Sequence, residues 1–265
     1  SIPWVGAPDG EGGQGVIVHA RIDDIDSQIV AEFISSSGAP AGPDLASATF
    51  VVSQEDSPTC ELLRPEPGPG PYHCALYPVA VALGPSEPGT TFRRDYAIFW
   101  RSTSSEPTTL PSTVIRGRLV RALFGLQEAL NPRDELDGDA IDLVTGALIA
   151  ELTAVSVGDG RVLLLWQERE VSEQVVTYAQ ILDDRLAEVG TRAEIGRSTA
   201  GGAEFTGMSA AFDGESALVA WTDRGPGDVD RIVARLLGVD GSARDDGEPR
   251  PVSPSTPIEW ASSTS

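Results

Sequence analysis

The sequence predicts an all-β protein built from about four diverged copies of one four-stranded antiparallel sheet unit. Two observations carry this prediction. The 28 Gly and 20 Pro are scattered without a collagen-like period, as suits many short strands joined by turns. A phrase of strand, Asp-Gly turn, apolar strand and Trp also recurs along the chain. A unit of about 50 residues could not cover its own apolar faces, so the copies are expected to pack on one another.

The phrase is clearest in the second half. Ala154 to Trp166 and Ser209 to Trp221 both read as a strand, an Asp-Gly pair (Asp159, Asp213), an apolar strand and a Trp. Asp-Gly supplies the positive φ of a tight hairpin. Tyr178 and Val233, each in a following third strand, are 55 residues apart, as are Trp166 and Trp221. The most complete unit is predicted as strands over 148–157, 162–167 and 174–182, with a short fourth near 193–197. Its middle strands are nearly continuous apolar runs, the pattern of sheets covered on both faces.

Earlier copies are weaker. Tyr96 to Trp100 leads through a Ser/Thr/Pro loop to a strand beginning at Val114, and Leu123 to Asn131 aligns with Leu182 to Gly190. Asn131 and Gly190 share tolerance of the left-handed conformation. This alignment favours a strand and turn over 113–130 rather than a helix. Nearer the start, Val16–Ala20 and Gln28–Ile34 fill the second and third strand positions, with His19 where other copies carry Trp. Units are placed at about 2–55, 71–140, 147–200 and 204–254, with 255–265 a tail or the start of another unit. Ile2-Pro-Trp4 and Ile258-Glu-Trp260 enter the pattern at one phase, which fits either a latch closing a ring or a window on a longer array.

These units resemble degenerate four-stranded blades of β-propellers in secreted proteins of GC-rich bacteria. The resemblance implies a single β-propeller-like domain, either a small closed ring or part of a larger one. Trp221-Thr-Asp223 is similar to part of the Tyr-Trp-Thr-Asp motif of receptor propellers, but no other unit repeats it. Asp boxes and the Trp-Asp dipeptide of WD repeats are missing.

Forty acidic residues oppose 19 basic ones, all Arg, for a net charge of −21. A field of this sign repels nucleic acid and anionic membranes. Nor does any apolar run approach the roughly 20 residues that span a bilayer. The Lys-free composition fits a GC-rich bacterial genome, or a high-salt habitat. The chain opens at Ser1 without a basic-then-apolar leader, which suits a processed terminus or a cut within a longer chain. Cys60 and Cys74 flank a Pro/Gly-rich loop over 56–72. A disulfide between them would contribute about 3 kcal/mol and place the protein in an oxidising compartment: secreted, periplasmic or at the cell surface. Two free thiols are the alternative.

Signals for chemistry are sparse. Gly10-Glu-Gly-Gly-Gln-Gly15 fits a dinucleotide fingerprint in letters only, because a strand rather than a helix is expected after it. Ser209 lacks a downstream His for a triad; of the two His, His19 is read as a satisfied strand residue and His73 stands beside a Cys. Asp134, Asp137, Asp139 and Asp142 are the best metal candidates, a loop able to offer oxygens to calcium; otherwise they form a solvated acidic loop with an Asp-Gly turn. Asp23, Asp24 and Asp26 form a weaker cluster.

The expected function is a non-catalytic binding or structural module that engages other protein chains, with 56–72 and 103–112 as contact loops. A carbohydrate-binding or carbohydrate-active propeller is the alternative, with a glycan as partner. The two differ at Trp100, Trp166 and Trp221: sugar stacking requires them exposed, and packing between sheets requires them buried.

Overall fold

The computed structural model describes residues 4–6, 15–23, 26–34, 49–53, 72–85, 93–105, 112–123, 136–146, 148–170, 174–198, 207–224, 230–244 and 249–252. The described elements are all strands, and no helix among them is long and apolar enough to cross a membrane. Sheet 1 holds β1 (Trp4–Gly6), β2 (Gly15–Asp23), β3 (Asp26–Ile34) and β4 (Thr49–Val51). Sheet 2 holds β5 (Tyr72–Pro85), β6 (Arg93–Ser105), β7 (Ser112–Leu123) and β8 (Leu136–Gly146). Sheet 3 holds β9 (Ile149–Ser156), β10 (Val162–Arg169), β11 (Val175–Leu182) and β12 (Glu188–Arg197). Sheet 4 holds β13 (Met208–Phe212), β14 (Ser216–Arg224), β15 (Asp230–Gly238) and β16 (Arg250–Pro251). Each sheet is an antiparallel meander with its strands in chain order.

Local chemistry explains the hairpins. Between β9 and β10 the backbone turns through Gly158, Asp159 and Gly160, all at positive φ (83°, 52° and 71°). Between β13 and β14 the Asp213 carboxylate accepts the backbone N–H groups of Glu215 (2.9 Å) and Ser216 (2.7 Å). Those donors, Ser216 foremost, hold its carboxyl below the usual carboxylate range. Asp183 performs the same task between β11 and β12, accepting from Arg185 and Ala187 at 2.8 Å each. There Leu186, at φ 62°, is buried against sheet 2.

Alternation along the strands sends each sheet's two faces to two different neighbours. In sheet 2, Tyr96, Ile98 and Trp100 pack with Val16, Val18 and Phe33 of sheet 1. Ala97 and Phe99, from the same strand, pack with Leu164 and Trp166 of sheet 3. Sheet 3 then turns Leu163 and Leu165 to Val219 and Trp221 of sheet 4. Three seams result. The first strands also meet, β5 against β9 and β9 against β13.

The segment over 112–123 is strand β7, paired with β6 from Arg93↔Leu123 to Ser104↔Ser112, so no helix occupies it. Residues 124–131, the remainder of the aligned turn, lie outside the described residues. Two elements differ from the sequence reading. The acidic segment taken as a loop is strand β8 from Leu136 onward. As the outer strand of its sheet it leaves Asp139, Ile141 and Asp142 in solvent, so charges cost little there. The fourth strand of sheet 3 is also longer than its hydrophobicity suggested, because a bulge with Gly190 at φ 76° carries β12 back to Glu188.

Candidate functional site

The described surface has one place where backbone strain, an exposed aromatic ring and perturbed charges coincide. On β5, Leu76 pairs with Arg101 and Val79 with Phe99, so Tyr77 and Pro78 together oppose Trp100. Such a bulge inserts a residue and re-aims its side chain. Pro78 fits there because it has no N–H to give to the ladder. Tyr77 adopts φ 55°, a left-handed conformation rare for a bulky residue and found most often where structure serves function. The residue is 54% exposed.

Arg101 lies beneath that ring, its guanidinium carbon 4.3 Å from the ring centroid. One of its nitrogens donates to the Ile149 carbonyl at 3.0 Å, across the seam to sheet 3. Burial lowers the Arg101 pKa, and its interactions with Tyr77 and Glu151 oppose that shift. Burial likewise raises the Glu151 pKa, and Arg101 only partly offsets this. The result is an aromatic platform held by a guanidinium fixed to the next sheet, with a half-buried carboxylate beside it. An aromatic–Arg pair of this kind is a common anchor at protein interfaces.

The sign of the Glu151 shift makes a prediction. A carboxyl whose folded pKa is raised contributes most to stability below its unfolded pKa, and that contribution is lost as pH rises through the folded pKa. Glu151→Gln is therefore expected to melt slightly higher than wild type at pH 8, despite removing a partner of Arg101. The difference should vanish below about pH 4, where both forms are neutral. Paired thermal melts across that range check it.

The sequence-nominated residues fall elsewhere. Trp100, Trp166 and Trp221 each sit on the second strand of their sheet and face the preceding sheet, with at most 4% of their surface exposed. Tyr178 and Val233 lie directly across from Trp166 and Trp221, as His19 lies across from Val30. Trp166 stacks on Tyr178, whose ring carries the Arg192 guanidinium carbon at 3.4 Å from its centroid. Arg192 in turn is paired with Glu168 at 2.7 Å.

Of the proposed calcium ligands, Asp134 lies outside the described residues, and Asp137 is placed in β8 opposite Leu119. Asp139 is exposed, its charge supporting Arg118. Asp142 pairs with Arg116 at 2.8 Å. The three described positions are spread along an extended strand rather than curled round a centre. No group of three or more metal-capable residues occurs among the described residues.

Cys74 lies in β5, while Cys60 falls outside the described residues, as does most of the loop over 56–72. The second proposed contact loop is described only at its first residues, where β6 ends, and at Ser112, where β7 begins. Gly15 opens β2, so a strand follows the glycine-rich stretch. Asp23 and Asp26 pair at the ends of β2 and β3, Asp24 between them lying outside the described residues. Ser209 is an exposed residue within β13.

Sequence reasoning missed the polar ties across the seams. Arg118 is buried and donates to the Val52 carbonyl at 3.0 Å, and Arg235 donates to the Ile195 carbonyl at 2.8 Å. Arg118 lies opposite Ile98 and Arg235 opposite Val219, in each case two residues before the Trp. Gln180 holds that place in sheet 3, donating instead to Ile181 and Val189 within its own sheet. The signal was available: Gln180 and Arg235 both follow their Trp by 14 residues.

No family model matches the chain, and no curated protein resembles it closely enough to count as a relative.

Proposed function

We propose that the four sheets are successive blades of a propeller-type array, and that the array is a binding module of a secreted or cell-surface protein that engages another protein chain. The meanders in chain order, the adjacent first strands and the three Trp-bearing seams support the array. The binding role rests on Tyr77. A strained, exposed aromatic ring, braced by Arg101 against sheet 3, is costly for a merely structural residue and well suited to a rigid contact. The buried tryptophans count against a glycan platform built from them. The export assignment rests on the Cys60–Cys74 pairing, and labelling of both thiols by alkylation without reductant would remove that support.

A photo-crosslinking amino acid placed at Tyr77 tests the binding role in extracts of the source cells and their medium. Discrete protein adducts are expected at position 77 and not at exposed Asp184 used as control. Adducts at neither position, together with specific retention on a glycan array, would favour the carbohydrate reading.

A further inference from the structure

The bulge that carries Tyr77 has a counterpart on the neighbouring sheet. On β9, Leu152 pairs with Trp166 and Ile149 with Glu168, so Ala150 and Glu151 together oppose Gln167. The β5 bulge stands opposite Trp100. The two irregularities therefore lie at nearly matching levels, on first strands that meet each other. A bulge re-aims the side chain it carries. The two residues so placed, Tyr77 and Glu151, share one neighbour, Arg101. Leu148, one residue before the carbonyl that receives Arg101, adds an exposed apolar side chain.

The charges at this corner are unequal in their commitments. Arg101 is engaged under the Tyr77 ring and at the Ile149 carbonyl, so it holds the platform in place. The Glu151 carboxylate accepts no hydrogen bond among the described residues, and burial raises its pKa more than Arg101 lowers it. It is a half-buried negative charge with too little positive charge beside it, and a further cation brought against it would stabilise it. A charge kept where it costs stability is a common trade at a binding site. The field of the whole chain acts in the same sense, since a net charge of −21 draws basic partners and repels acidic ones.

We infer that the protein partner presents a Lys or Arg side chain to this corner, its stem against the open face of Tyr77 and its charged head at the Glu151 carboxylate. Arg101 already lies on one face of the ring, so the other face takes the apolar stem rather than a second cationic head. The inference rests on the reading of Tyr77 as a contact residue, and it adds the chemistry of what Tyr77 contacts.

Selection of short random peptides displayed on phage, against the immobilised chain at physiological ionic strength, tests it. Enriched peptides are expected to carry Lys or Arg beside an apolar residue. Glu151→Gln should weaken their binding by roughly tenfold or more. Asp184→Asn, which removes one exposed negative charge elsewhere, should leave it unchanged, and so separates this corner from the overall field. Tyr77→Gly removes the ring and accepts the positive φ of that position, so it should fold and lose the same peptides. Melts of each variant confirm folding. Peptides that depend on Tyr77 but lack a basic residue, or that ignore Glu151→Gln, would overturn the basic partner and leave the contact role of Tyr77 standing. Enrichment indifferent to Tyr77→Gly, or no enrichment at all, would overturn both.

Discussion

Trp100→Ala is expected to lower the unfolding free energy by about 3–5 kcal/mol, the cost of removing a fully buried aromatic side chain whose cavity cannot collapse. Trp100 has no exposed surface and belongs to the seam of sheets 1 and 2, among Val18, Phe33 and Tyr96. It comes from β6, the second strand of a sheet covered on both faces. The change should appear as a shift in denaturation midpoint, with far-UV circular dichroism of the folded state still that of a β protein. Trp100→Phe should cost much less. If the tryptophans were a sugar platform, the alanine variant would keep its stability and lose a ligand instead.

Gly196→Val is expected to be as damaging for the opposite reason. A Cβ built at Gly196 runs into the Trp221 indole, with two further ring atoms at 3.2 Å. Gly196 lies in β12, at the edge of sheet 3, where the Trp of sheet 4 closes on the backbone. Neither partner can yield cheaply: the backbone is paired Thr177↔Gly196, and the ring is packed among Leu165, Ala179 and Val219. Overpacking of this kind costs about 1–3 kcal/mol and more where backbone must move. The cause is a contact between two residues, so a double-mutant cycle identifies it. Trp221→Leu in the Gly196→Val background should recover part of the lost stability, although Trp221→Leu alone destabilises. Additive losses would place the damage elsewhere, in the strand itself.

Much of this architecture is readable in the residues, and the reasons are local. Asp-Gly at 159 and 213 announces hairpins because few other residues tolerate the required φ. Runs such as Val162–Trp166 announce a doubly covered strand because no solvent face remains to be polar. The same offset between Trp and the third strand recurs because the pair is a cross-strand contact, as Trp166↔Tyr178 and Trp221↔Val233 show. The acidic stretch near Asp137 misled because an outer strand has no need of apolar alternation, so β8 reads as a loop.

Tyr77 was illegible for a different reason. A positive φ on tyrosine contradicts the local preference and persists only through its setting: Pro78 in the bulge, Arg101 under the ring and Ile149 on the next sheet. The leucine at 186 is a parallel case, a left-handed residue held by the cavity it fills beside Gly117 and Phe99. Neither has a signature in sequence, because the constraint comes from another sheet.

The stacking is tested most directly on one sheet alone. The segment over 147–200, which contains all four strands of sheet 3, has two apolar faces and no means of covering either. Expressed by itself, it should give a disordered circular dichroism spectrum and collapsed amide proton dispersion. A dispersed spectrum with a cooperative melt from the monomeric segment would show that a single sheet stands unaided, and would contradict the account.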